Sequence, residues 1–187
     1  MEELNIEFNI DCGDIYLREL RLEDLDEYYE ITTHPGVEEF LPDWKSTKEQ
    51  RLDWLVNWEI PGGKEFLHSV PDIGTKSLKL GIILKETEEF IGCIATSMKD
   101  ELPAPNREIS YVISEYYRNK GYTTNAVKGL AKYLFEKTNL EILNAIALTN
   151  NESSNRVITK SGFTYMKTID IEGEEYYQYI LNKKHIK

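Results

Sequence analysis

Residues 121–135 constrain the fold most. Val127, Leu130, Ala131, Leu134 and Phe135 recur at the i, i+3, i+4, i+7, i+8 spacing of a helix with one buried stripe. Just upstream, residues 107–114 read as a strand, and a short basic turn containing Gly121 joins the two. A strand feeding a one-sided helix points to helices packed on a sheet.

The remaining pattern agrees. Strands are predicted over 14–20, 77–85, 90–97, 107–114, 141–149, 163–171 and 175–182, with a hairpin turn at Glu86-Thr87-Glu88-Glu89. One helix is predicted over 22–31 and stops at His34-Pro35-Gly36. Two overlapping capping boxes in Ser46-Thr47-Lys48-Glu49-Gln50 open another, which carries Leu52, Leu55 and Val56 and ends before Pro61-Gly62-Gly63. Residues 64–76 read as a short strand over 65–70, then a loop. A short helix over 152–160 stops at Gly162. The order β-α-α-β-β-β-α-β-α-β-β belongs to an α/β (α+β) chain with a mixed sheet, not to the strict alternation of a doubly wound fold. With 187 residues and no repeat or long linker, one domain over 1–187 is expected.

Composition narrows the function. The net charge of −11 argues against a general nucleic-acid binder, which needs a basic face, and suits a cationic partner such as an amine. The two cysteines, Cys12 and Cys93, show no CxxC spacing, so neither a disulfide framework nor a zinc site is expected. Residues 1–4 are acidic where a secretory leader is basic, and no apolar run nears the length that spans a bilayer. A reducing cytoplasmic setting is expected, without membrane contact.

The turn Arg118-Asn119-Lys120-Gly121-Tyr122-Thr123 is a candidate anion site. Free N–H groups at a helix start, the helix dipole and two cations converge there, and Gly121 allows close backbone approach. A pyrophosphate would fit. An ordinary strand–helix turn with two solvated charges would read the same by spacing alone. Neither GxxxxGK[ST] nor GxGxxG occurs, so the P-loop and Rossmann devices are absent.

The same six residues resemble the [Q/R]-x-x-G-x-[G/A] pyrophosphate loop of the GNAT superfamily of acetyl-CoA-dependent N-acetyltransferases. The surrounding chain resembles the RimJ/RimL subgroup, which acetylates N-termini of ribosomal proteins. The pieces that match are Ile15-Tyr16-Leu17-Arg18 with Glu23-Asp24, Phe90-Ile91-Gly92, Glu108-Ile109-Ser110-Tyr111-Val112-Ile113, Asn151-Glu152-Ser153-Ser154-Asn155-Arg156-Val157 and Lys160-Ser161-Gly162-Phe163. Their joint order, over about 14–181, is more specific than any one motif. Thr123 stands where the loop usually has Gly or Ala, Asn119 where the subgroup often has Gly, and Ser110 where it usually has Gly.

The resemblance implies a mixed, mostly antiparallel sheet flanked by helices and splayed between the fourth and fifth main strands, 107–114 and 141–149. The pantetheine arm of acetyl-CoA would pair with backbone at Tyr111, Val112 and Ile113 like an added strand. The N–H of Val112 would polarise the thioester carbonyl. The amides of Arg118, Asn119, Lys120, Gly121, Tyr122 and Thr123 would hold the pyrophosphate, and Asn150 and Asn155 would contact the cofactor. Glu108 would be the general base and Ser154 the proton donor to the leaving thiolate, with no metal. The other readings are a strand-end Glu108 paired with Arg107, and Ser154 and Asn155 as helix caps.

Deprotonating a Lys ε-amine at neutral pH costs about 4–5 kcal/mol, an α-amine only about 1 kcal/mol. A weak base therefore suffices for a protein or peptide N-terminal α-amine, the acceptor expected. A polyamine or aminoglycoside is the enzymatic alternative, and a catalytically silent acyl-CoA-binding sensor is the other. The acceptor would enter near Glu38, Glu39, Asp43, Trp44 and the turn Glu172-Gly173-Glu174-Glu175, whose acidity equally fits an acidic protein's ordinary loops. Trp54 and Trp58 read as packing residues, and Tyr116, Tyr117 and Tyr122 as packing or CoA-edge residues. A monomer or homodimer is expected.

Overall fold

The computed structural model describes residues 8–185, so residues 1–4, read above as an acidic start, lie outside it. Strands β1 (Asn9–Cys12), β2 (Ile15–Glu19), β3 (Leu78–Leu84), β4 (Phe90–Met98), β5 (Arg107–Ile113), β6 (Ile142–Leu148), β7 (Thr164–Ile171) and β8 (Glu174–Asn182) form one sheet. Its order is β1-β2-β3-β4-β5-β6-β8-β7, and among the described residues only β5 and β6 pair in parallel. The mixed, mostly antiparallel architecture expected from the sequence is the one observed. Strand β1 is an addition: its four residues, with polar Asn9 and Asp11, carry too little alternation to announce a strand, and β2 templates it.

Helices cover both faces. The long helix α5 (Tyr122–Lys137) buries Val127, Leu130, Ala131, Leu134 and Phe135, the stripe read from the sequence. It meets Leu80, Ile82 and Ile109 in the larger core. Gly129 lets α5 lie close to β1, because a Cβ there would run into the Cys12 sulfur. On the other face, α1 (Leu25–Thr32) and α3 (Lys48–Trp54) close a smaller core of Tyr28, Ile31, Leu55, Ile83 and Val112. The short α2 (Pro35–Glu38) lies between them in sequence, and α6 (Glu152–Lys160) follows β6.

The sequence reading fails over residues 60–70. Pro61-Gly62-Gly63 does not end the second helix, and the strand expected over 65–70 is absent. A π-turn over Leu55–Glu59 carries α3 directly into α4 (Ile60–His68). Pro61 sits in the first turn of α4, where a missing N–H costs little. Gly63 then packs against Leu78, and Phe66 is fully buried. Burial outweighs the poor helix propensity of the glycines.

One feature of the sheet shapes the site. Strands β4 and β5 keep register over seven residues, as do β6 and β8, but β5 and β6 share a single register pair, Glu108 with Asn144. Asn144 is buried and clamps that point. Its Nδ2 donates to the carbonyls of Pro105 (2.9 Å) and Arg107 (3.2 Å), and its Oδ1 accepts from Gln178 Nε2 (3.0 Å). Beyond the clamp the two strands diverge, as expected for the fourth and fifth main strands.

Candidate active site

The divergence opens a cleft of about 310 Å³, lined by Glu108, Tyr111 and Ile113 of β5, Ala147 of β6, Ser154 of α6 and Arg118. Which β5 groups face it follows from register. Ser114 N–H donates to Ile91 O, so alternation turns the main-chain groups of Val112, Ser110 and Glu108 toward β4. Those of Arg107, Ile109, Tyr111 and Ile113 turn toward β6, and Arg107 O accordingly accepts from Asn144. Past the clamp, Tyr111 and Ile113 present their backbone to the cleft. The expectation that the Val112 N–H faces it is corrected: strand alternation commits that group to the ladder with Cys93.

Side chains alternate the same way, with Glu108 and Ser110 on the face covered by α1 and α3. Glu108, Ser110 and Trp44 line both the cleft and a second cavity of about 410 Å³, whose wall includes Trp58, Glu59 and Lys79. Glu108 thus stands where the two spaces meet. Burial pushes its carboxyl up to about 7, against a small opposing pull from Lys99 and a small push from Glu101. Arg107 is not its partner. The Arg107 guanidinium is buried on the opposite face and donates to the carbonyls of Lys76 (2.9 Å) and Gly74 (2.8 Å).

Helix α6 supplies the other wall. The Asn151 side chain accepts from Ser154 N (3.1 Å) as its N-cap. Ser154 Oγ lies 2.9 Å from Tyr111 Oη, and Tyr111 Oη also donates to Ser154 O at 3.2 Å. Asn155 Nδ2 donates to Leu148 O and Asn151 O, and its Oδ1 accepts from Tyr179 Oη. It locks α6 to β6 and β8, and the second lone pair of its Oδ1 is what it has left for a cofactor. Asn150 is exposed, and Asn151 rather than Asn150 lines the cleft. The cap is therefore Asn151, not Ser154 or Asn155 as the alternative sequence reading had it.

The anion loop ends the cleft. Asn119 and Gly121 take left-handed backbone, φ 62° and 83°, which curls the chain into α5. The first helical hydrogen bond runs from Asn125 N to Gly121 O, and among the described residues the N–H groups of 119–124 have no acceptor. Thr123 is buried at the cleft floor, and Arg118 lies against Gly36 at the start of α2. His34 ties α2 to the loop: its Nδ1 accepts from Gly36 N and its Nε2 reaches Glu115 at 3.1 Å. Lys120 lies over the Tyr117 ring, 5.1 Å from its centroid, and Tyr116 is exposed. Unpaired amides, a bare Gly121 and two cations make a fitting diphosphate cradle.

The acceptor-side expectations divide. Asp43 and Trp44 line the cleft together with Tyr176, whereas the turn 172–175 does not. Trp54 stacks on Arg51, 5.0 Å from guanidinium to ring, as a packing residue should. Trp58 does not pack: it is 70% exposed beside the second cavity. No helix among the described residues is long and apolar enough to cross a membrane.

Comparison with known proteins agrees with this geometry. The acetyltransferase (GNAT) domain family matches residues 14–164. An uncharacterised N-acetyltransferase of Bacillus subtilis, YnaD, is 27% identical over 177 residues, covering 91% of this chain and 95% of that protein. The aminoglycoside acetyltransferase AAC(6')-Ib, solved with paromomycin and acetyl-CoA, superposes with a TM-score of 0.70 at 16% identity, over 92% of this chain and 95% of that one. RimL, a ribosomal L7/L12 α-N-protein acetyltransferase solved with coenzyme A, superposes with a TM-score of 0.73 at 12% identity, over 94% and 98%. With more than half of its length matched by the family and the splayed sheet in place, the chain belongs to the GNAT acetyltransferases and is an acyltransferase.

Proposed function

We propose that this enzyme moves an acetyl group from acetyl-CoA directly to a primary amine, and that the acceptor is the α-amine of a protein or peptide, as in the RimJ/RimL subgroup. The observation that carries the reading is Glu108, a carboxyl poised near neutrality where the two cavities meet. The diphosphate would lie on the amides of 119–124, and the pantetheine arm would run between β5 and β6. The Tyr111 and Ile113 backbone would pair with that arm.

The acetyl carbonyl would then sit beside the cleft-facing N–H groups, which stabilise negative charge on its oxygen as the amine attacks. Glu108, ionised above about pH 7, takes a proton from the amine, directly or through water. The new C–N bond forms, the C–S bond breaks, and Ser154 gives its proton to the thiolate and regains one from solvent, while Glu108 releases the amine's proton to solvent. Tyr111 Oη holds the Ser154 hydroxyl in place. Free, buried Cys12 and Cys93 suit a reducing cytoplasm.

The acceptor cavity favours a peptide over a polycation. Its walls carry Glu59, Glu65 and Glu108 against Lys76 and Lys79, a net of one negative charge with Glu108 ionised, which is shallow for an aminoglycoside's several cations. Thiol release from acetyl-CoA, measured on peptides, polyamines and aminoglycosides with wild type and Glu108→Gln, tests the reading. Turnover of peptides that collapses in the variant supports it. Turnover confined to aminoglycosides or polyamines refutes the acceptor class, and tight acetyl-CoA binding with no turnover of any amine refutes the enzyme.

A further inference from the structure

The floor of the second cavity holds an unbalanced charge cluster. Lys79 Nζ lies within hydrogen-bond distance of Glu59 Oε1 and 3.0 Å from Tyr28 Oη. Arg51, almost fully buried, donates to the same Tyr28 Oη at 3.1 Å and lies 3.8 Å from the same Glu59 oxygen. Two cations therefore share one carboxylate. Around them, Trp44 lies under Lys79 (4.6 Å to the ring centroid), and Glu65 and Lys76 pair with each other at 3.8 Å on the rim. Taken by itself, this cluster of Arg51, Lys79 and Glu59 keeps one positive charge, and the cavity's remaining carboxyl, Glu108, stands two strands away on β5.

Lys79 is the cation that reaches the cavity, because Arg51 donates to Trp44 O and is shut behind the Tyr28 and Trp54 rings. Two of the three ammonium protons have acceptors, which leaves one for a ligand. Lys79 pairs with Ala95 on β4, and Ala95 with Ser110 on β5, so Lys79 and Glu108 share a sheet face. Two strand spacings and two residues separate them, about 12 Å between Cα atoms. The two side chains and a short acceptor segment can span that gap.

We propose that the cavity recognises a carboxylate carried by the acceptor beside its amine, with Lys79 binding it while the amine meets Glu108. This rests on the amine-acetyltransferase reading above. Two sources offer that chemistry: a peptide whose first side chain is acidic, or a free α-amino acid. Glu59 is not offered to a ligand as a free anion: Tyr28, Lys79 and Arg51 converge on its Oε1, and its Oε2 is buried.

The test compares kcat/KM for peptides that begin with Glu, Ala or Lys, and for free glutamate, in wild type, Lys79→Met and Lys79→Arg. Wild type should favour the Glu-first over the Lys-first peptide by about tenfold or more, the scale of one charge-assisted hydrogen bond. Lys79→Met should bring that ratio within about threefold, and Lys79→Arg should retain it. Melting temperature and acetyl-CoA binding check that Lys79→Met is folded. Glutamate against the Glu-first peptide separates the two sources. A wild-type ratio near one, or one that survives Lys79→Met in the folded variant, overturns the inference while leaving the α-amine reading intact. Acetylation of aminoglycosides or polyamines alone overturns both.

Discussion

Tyr111 Oη and Ser154 Oγ stand 2.9 Å apart, one on a strand and the other on the first turn of a helix, across the cleft that parts β5 from β6. Tyr111 Oη donates toward Ser154 O and Oγ together, which orients the Ser154 hydroxyl and leaves its proton for the leaving thiolate. Replacing Ser154 by Ala should lower kcat about 10²-fold, the low end for a general acid acting on a good leaving group. Tyr111→Phe should cost less, about tenfold, and Ser154→Thr should recover part of the loss. Steady-state kinetics checks this; a kcat untouched by Ser154→Ala would remove Ser154 from the chemistry.

Glu108 should write its ionisation into the pH profile. Its carboxyl titrates at about 7 rather than 4.5, so kcat/KM should climb as pH rises through 7, and the Gln variant should lose that limb with about 10²-fold of rate.

The same shift predicts a stability difference of defined sign. A carboxyl with a raised folded-state pKa favours the folded protein below 4.5, and that advantage is lost as pH rises to about 7. Above 7 the buried charge costs up to about 3 kcal/mol. Glu108→Gln should therefore melt several degrees above wild type at pH 8 and level with it at pH 4.5. Calorimetry at the two pH values decides; a constant offset would deny the titration.

At the anion loop, Gly121 has φ 83° with open space around it, so Ala there meets strain rather than a clash. Gly121→Ala should cost about 1–2 kcal/mol and raise KM for acetyl-CoA about tenfold. Gly173, at φ 88° in the β7–β8 turn, also has no neighbouring atom close to a Cβ. Gly173→Ala should cost similar stability and leave KM alone, which separates a ligand effect from backbone strain.

Gly129 tests the packing of α5 on β1. Ala at this position overlaps the Cys12 sulfur and should destabilise by about 1–3 kcal/mol. Adding Cys12→Ala should return part of that loss. Denaturant melts of the single and double variants read the coupling directly.

Much of this protein could be read from local pattern. The stripe on α5, seven of the eight strands and the Gly121 turn each depend on residues close in sequence, where periodicity and turn chemistry speak plainly. The helix α4 could not be read that way. Pro61, Gly62 and Gly63 locally deny a helix, and only the π-turn before them and the burial of Phe66 beneath them reverse it. Trp58 misled for a related reason: its spacing from Trp54 says nothing about which of the two the sheet will cover.

Within the site, residue types were legible and their pairings were not. Glu108, Ser154 and Gly121 stand in recognisable motifs. Yet Glu108 owes its raised pKa to burial at a junction of two cavities, and its sequence neighbour Arg107 points away from it. Which backbone amides face the cleft hung on the register set by Ser114 and Ile91, which excluded Val112 in favour of Tyr111 and Ile113. Asn155 was drawn to Leu148, Asn151 and Tyr179. The sequence by itself determined most of the elements, β1 and α4 among the exceptions, the anion loop and the kinds of group available for acyl transfer, because these follow from neighbours along the chain. The tertiary structure alone decided the clamp at Asn144, the charge state of Glu108 and the cation left over at Lys79, because desolvation, register and long-range charge exist only once distant segments meet.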